Sequence, residues 1–204
     1  MHIMIRADES KVVKKVVAIA CSTGGPKALQ TLIPQLPANL NAPVLIVQHM
    51  PAGFTEALAG RLNTLSALSV KEAAEGDVLM PGGVYLARGG RHMNVVKSCG
   101  KHVIHYTDDP PREGVRPCAN YMYESLADCG YDEVVCAVLT GMGADGTAGI
   151  KNLKVKKKVV VLAQDEESCA VYGMPRSIVT AELTGKGITL DQIAQEIIKN
   201  VGVT

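Results

Sequence analysis

The 204-residue chain has no tryptophan and one phenylalanine, and six tyrosines bring the aromatic share to only 3%. So few flat rings leave little with which to stack nucleobases. Charge of one sign is also missing: 21 Lys and Arg face 20 Asp and Glu, for a net charge of +1. A surface that grips nucleic acid or anionic lipid works through a basic field, and this balance argues against either partner. Long apolar runs are absent, since stretches such as 16–21 and 134–139 fall far short of the roughly 20 residues that span a bilayer. The opening residues include Arg6, Asp8 and Glu9 where a secretory signal needs an apolar stretch. Six cysteines are present, but no two are spaced C-x-x-C. A chain of this size needs no disulfide staples, so the expectation is reduced thiols in a cytoplasmic setting.

The chain does have 47% apolar residues, enough for a substantial core in one domain. Residues 12–21 read as a buried strand, Ser22 to Gly25 as a turn, and Pro26 as the opening of a helix to about residue 36. A strand at 43–48 and a helix at 53–65 follow. The middle, broken by Gly76, Gly82, Gly83, Gly89 and Gly90, reads as antiparallel hairpins, with short runs at 84–87 and 103–106 and a turn at 98–101. Helices are expected at 117–128, after Gly146 and at 190–199, and strands at 133–140 and 159–163. Residues 1–11 read as a tail or linker remnant and 12–204 as the domain. The fold class is therefore α/β, a mostly parallel doubly wound sheet with helices on both faces and an antiparallel hairpin insertion.

In such a sheet functional groups collect beyond the carboxyl ends of the strands. Ser22, His49, the stretch from Met142 to Asp145, and Gln164 with Asp165 all follow predicted parallel strands. A hydroxyl, an imidazole and a carboxylate thus leave three strands at one edge. That set permits acyl transfer: the imidazole takes the hydroxyl proton, and the carboxylate fixes the useful tautomer. The glycine-rich turn at 141–146 can aim N–H groups at a developing oxyanion, each worth about 3–4 kcal/mol in known cases.

Each residue also has a plainer explanation. Ser22 could be a turn residue, His49 a polar strand end, and Asp145 a helix N-cap. Cys21 is a rival nucleophile, but it lies within a buried strand and points to the opposite face from Ser22. His102 and His105 are three apart on a predicted strand, so they face opposite sides and make a poor metal pair. His92, in a glycine-rich loop, stays ambiguous.

Ser22-Thr23-Gly24-Gly25-Pro26, Gln48-His49-Met50-Pro51 and the Leu139 to Gly146 stretch, with Ala163 to Cys169 and Tyr172 to Pro175, resemble the signature segments of the CheB-type chemotaxis protein-glutamate methylesterases. The resemblance runs from about Val16 onward. It implies Ser22 as nucleophile, His49 as general base and acid, and Asp145 as its carboxylate partner. It also implies Met142 N–H in the oxyanion hole and Thr23 lining the site, with no metal or organic cofactor. The implied substrates are glutamate γ-methyl esters on methyl-accepting chemotaxis receptors, with deamidation of receptor glutamines as a second activity. Cys118, Ala119 and Asn120 depart from the usual Ser-Val-Asp after Arg116-Pro117, and Ala87-Arg88 from Ala-Pro. Full-length members carry an N-terminal receiver domain, for which about a dozen residues before the first strand leave no room. The expectation is an excised catalytic domain or a stand-alone form.

Two other readings compete with this one. A nucleotide- or phosphate-binding module could use the Ser22 to Gly25 turn with Lys27, although the full P-loop and dinucleotide spacings are missing. An inactive receptor-docking adaptor is the other. An α/β-hydrolase is rejected, because its acid precedes its histidine and its nucleophile sits in G-x-S-x-G.

Overall fold

The computed structural model describes residues 14–204, so the tail expected at 1–11 lies outside the described residues. Six strands form one parallel sheet: β1 (Lys15–Cys21), β2 (Val44–Gln48), β3 (Ser69–Glu72), β4 (Gly83–Leu86), β7 (Glu133–Val138) and β8 (Lys158–Ala163). Their spatial order is β3-β4-β2-β1-β7-β8, with every neighbouring pair parallel. A separate antiparallel pair, β5 (His92–Ser98) and β6 (Lys101–Thr107), makes the hairpin. Its tight turn places Cys99 at φ 48° and Gly100 at φ 76°, the left-handed pair that matches strand twist in a two-residue loop.

Helices cover both faces, which is why the central strands are apolar throughout. On β1, Val17, Ile19 and Cys21 enter the core beneath α1 (Gly25–Leu32), α2 (Thr55–Leu65) and α6 (Leu190–Val201). Val16, Ala18 and Ala20 enter the opposite core, closed by α3 (Ala119–Ser125), α4 (Thr147–Lys156), α5 (Met174–Thr180) and the hairpin. The helix after β1 thus lies on one face and the helix after β7 on the other. The connections diverge between these neighbouring strands, and a crevice opens at their carboxyl ends.

The run at 84–87 is a correction to the sequence reading. It is no hairpin arm but β4, a parallel strand of the main sheet beside β2. Val84, Tyr85 and Leu86 are all buried, so both faces of the strand are covered. The segment from β3 to β4 needs no crossover helix because the hairpin braces it. Gly76 N donates to Ile104 O at 2.9 Å, and Leu79 N to His102 O at 2.9 Å. The 103–106 run does lie in an antiparallel hairpin, as expected. Helix α3 is shorter than the predicted 117–128, and β3 and α5 were not anticipated. Both are too brief to display a period.

Candidate functional site

Ser22 is the first residue beyond β1 and His49 the first beyond β2. The pairing of Cys21 with Gln48 and the bond from His49 N to Cys21 O, 3.1 Å, set the two side by side. Ser22 is fixed through its backbone. Its N–H donates to Thr140 O at 3.0 Å, and its carbonyl accepts from Gly25 N at 2.8 Å and Gln48 Nε2 at 3.0 Å. The same Gln48 amide reaches His49 O at 3.2 Å, so one buried side chain ties both residues to the sheet edge. The Ser22 hydroxyl has no hydrogen-bond partner among the described residues.

Asp145 arrives on the loop between β7 and α4, and its Oδ2 lies 2.7 Å from His49 Nε2. It does not cap α4, where Gly146 stands at the cap with no side-chain bond. Its carboxylate, 3% exposed, sits instead at the start of α3. Ala119 N donates to Oδ2 at 2.6 Å, and Asn120 N and Cys118 Sγ donate to Oδ1 at 2.9 and 3.0 Å. Burial alone would raise the Asp145 pKa, but the His49 bond, the Ala119 N–H and the Cys118 thiol outweigh it and hold the group below the usual carboxylate value. The cost of this falls on Cys118, whose own pKa is pushed up to about 12 by burial and by the Asp145 charge.

The frame around Asp145 is continuous. Asn120 Oδ1 accepts from Gly146 N at 3.0 Å and Gly149 N at 2.7 Å, pinning the start of α4 to α3. His92, ambiguous in sequence, is buried and accepts the Cys118 N–H at Nδ1, 3.2 Å. Its Nε2 lies 3.2 Å from Pro110 O, and its ring packs 4.6 Å from that of Tyr121. The three residues that depart from the usual Ser-Val-Asp are therefore the cradle of the carboxylate.

Thr140 joins the remaining loops. Its N–H donates to Gln164 Oε1 at 2.9 Å, and its hydroxyl lies 2.9 Å from Thr23 O and 3.3 Å from Val171 O while accepting from Val171 N at 3.0 Å. Gln164, noted at a strand end, is thus a buried brace. Thr23 is exposed, with its carbonyl held. Met142 is 75% exposed, with an N–H that donates to no described residue, on a turn where Gly143 adopts φ 91°. Gly141 packs so closely that a Cβ there would stand 2.8 Å from Ser22 Cβ and 2.4 Å from Met174 Sδ.

The rival groups are placed elsewhere. Cys21 faces the α1 core, and burial raises its thiol far above the usual value. His102 stacks on Tyr131 with ring centroids 3.9 Å apart, while His105 pairs with Glu75 at 2.9 Å. Among the described residues no three His, Cys, Asp or Glu side chains form a metal-binding group, and no helix is long and apolar enough to cross a membrane.

The model of a family described as CheB methylesterase matches residues 17–197. A curated protein-glutamate methylesterase/protein-glutamine glutaminase of Geobacillus kaustophilus is 44% identical over 92% of this chain and 54% of its own length. One of the same name from Bacillus subtilis is 45% identical over 90% of this chain and 52% of its own. The chain therefore spans about half the length of the curated relatives it matches. The crystal structure of the Thermotoga maritima CheB methylesterase catalytic domain superposes with a TM-score of 0.89 at 38% identity, covering 93% of this chain and 100% of that one.

Proposed function

The chain belongs to the CheB methylesterase family, and from that premise we propose that it is a cytoplasmic serine esterase that removes methyl groups from glutamate γ-methyl esters of chemotaxis receptors. The observation that carries the reading is the half-buried contact of 2.7 Å between His49 Nε2 and Asp145, formed beside the end of β1 that bears Ser22. With Asp145 accepting the Nε2 proton, Nδ1 is left as the base for the Ser22 hydroxyl. Ser22 Oγ then bonds to the ester carbonyl carbon as its proton passes to His49. The negative charge that develops on the carbonyl oxygen is met by the Met142 N–H, with Thr23 lining the same space. Collapse breaks the C–OCH₃ bond, and the His49 proton leaves with methanol. Water, deprotonated by His49, cleaves the acyl-enzyme to glutamate and regenerates Ser22.

A primary amide presents the same carbonyl with ammonia as leaving group, so receptor glutamine deamidation is the expected second activity. The names of the two curated relatives agree with both. No step calls on a cofactor. A regulatory receiver domain, implied by resemblance alone, is a further proposed partner. The test is methanol release from receptor carrying labelled methyl esters. The native chain releases label and Ser22→Ala does so at least about a thousandfold more slowly. Equal release by both proteins removes Ser22 from the mechanism.

A further inference from the structure

Between the turn at Met142 and helix α5 opens a cleft of about 710 Å³, lined by Met142, Gly143, Lys151, Tyr172, Arg176 and Ser177 among others. It adjoins the nucleophile through Gly141. Gly173 N and Met174 N both donate to Gly141 O, at 3.0 and 2.8 Å, and the other side of Gly141 packs on Ser22. Only the thickness of one glycine separates the wall of the cleft from Ser22.

The charge of the cleft is one-sided. No carboxylate lines it. Lys151 and Arg176 are exposed and make no ion pair with any described residue. The fields of Glu166 and Asp165 reach Tyr172, as does that of Arg176. Two cations in a concave wall that itself carries no carboxylate favour an anionic occupant.

We infer that this cleft docks an acidic stretch of the polypeptide substrate, with Lys151 and Arg176 receiving carboxylates that flank the glutamyl ester presented to Ser22. The inference rests on the methylesterase reading and extends it. Each turnover converts a neutral ester to a carboxylate, so a segment with one demethylated position becomes a better ligand for the cleft. Removal of a first methyl group then favours removal of its neighbour.

The test uses two synthetic peptides with a single glutamate γ-methyl ester, one flanked by glutamates and the other by glutamines, and a neutral N-acetyl glutamate amide γ-methyl ester. The native protein should show a KM about tenfold lower for the glutamate-flanked peptide, a preference that fades with added salt. Lys151→Glu with Arg176→Glu should abolish that preference while leaving hydrolysis of the small ester within about twofold. Lys151→Gln with Arg176→Gln is the milder pair should the reversal disturb folding. Equal KM values for the two peptides in the native protein overturn the inference. So does an equal loss on all three esters, which makes the two residues supports of the catalytic loop. Calorimetric binding of the glutamate-flanked peptide to Ser22→Ala reads the cleft without turnover. Tight, Lys151- and Arg176-dependent binding with no esterase activity in the native chain would sink the methylesterase reading and leave the acidic-peptide site standing.

Discussion

Asp145 meets His49 at Nε2, 2.7 Å away, while three donors from the start of α3 hold the same carboxylate from behind. The Asp145 carboxylate is therefore aimed by a helix that carries none of Ser22, His49 and Asp145. Asp145→Asn keeps the shape but, with its NH2 at the Oδ2 position, offers a donor where His49 needs an acceptor and opposes the Ala119 N–H. Methanol release should fall about 10³–10⁴-fold with little change in KM, the pattern of a group that acts on the transition state.

Cys118 provides a graded version of the same test. Its thiol lies 3.0 Å from Asp145 Oδ1. Cys118→Ala removes one of four donors and should lower kcat several-fold, whereas Cys118→Ser supplies a stronger donor and should restore it. Steady-state kinetics on receptor ester decides. A larger loss in the serine variant than in the alanine variant would mean that the thiol fills space instead of holding the carboxylate.

The acid limb of stability has a sign that follows from Asp145. Its folded pKa is held below the ordinary carboxylate value, so its contribution is whole above that value and is lost as pH falls through the folded one. Urea midpoints of the native chain should drop below about pH 4 more steeply than those of Asp145→Asn, which has no proton to take up there.

His92 acts at a higher pH. Burial and then the Arg116 charge pull it below its usual 6.5, although Pro110 and Asp109 work in the other direction. Because its neutral form accepts the Cys118 N–H, the stability it supplies is complete above the unfolded value and declines as pH falls toward the folded one. His92→Phe keeps a ring against Tyr121 but orphans that N–H, at a cost of about 1–3 kcal/mol. Denaturant titrations between pH 5 and 7 should show a flatter slope in this variant than in the native chain.

Gly141 leaves no room for a side chain. In Gly141→Ala the new methyl would press on Met174, which can yield, and on the Ser22 backbone N at 3.0 Å, which cannot. The variant should fold, since only a loop is disturbed, yet lose at least about tenfold in kcat as Ser22 shifts. Near-UV dichroism with ester kinetics separates the two effects.

Much of this site could be read from residue order because parallel strands deliver their following residues to one edge. Ser22, His49 and Asp145 each follow an unmistakable apolar strand, so their convergence was legible before any geometry. The run at 84–87 was misread because glycines surround it, and punctuation alone does not tell a hairpin arm from a short parallel strand braced by another hairpin. The parts that were not legible are those built from backbone donors and long-range bonds. Nothing local marks Cys118, Ala119 and Asn120 as a carboxylate cradle, or His92 as the acceptor behind them. Thr140 and Gln164 likewise look like ordinary strand-end residues until the loops they join are assembled.

Thr140 carries a consequence for anyone recombining this scaffold. One hydroxyl has a single proton and two lone pairs, yet it reaches the carbonyl of Thr23, the carbonyl of Val171 and the Val171 N–H. The turn after Ser22 and the segment leading into α5 are thus latched to the same atom. Swapping either for a homologous stretch with altered length would unfasten the other.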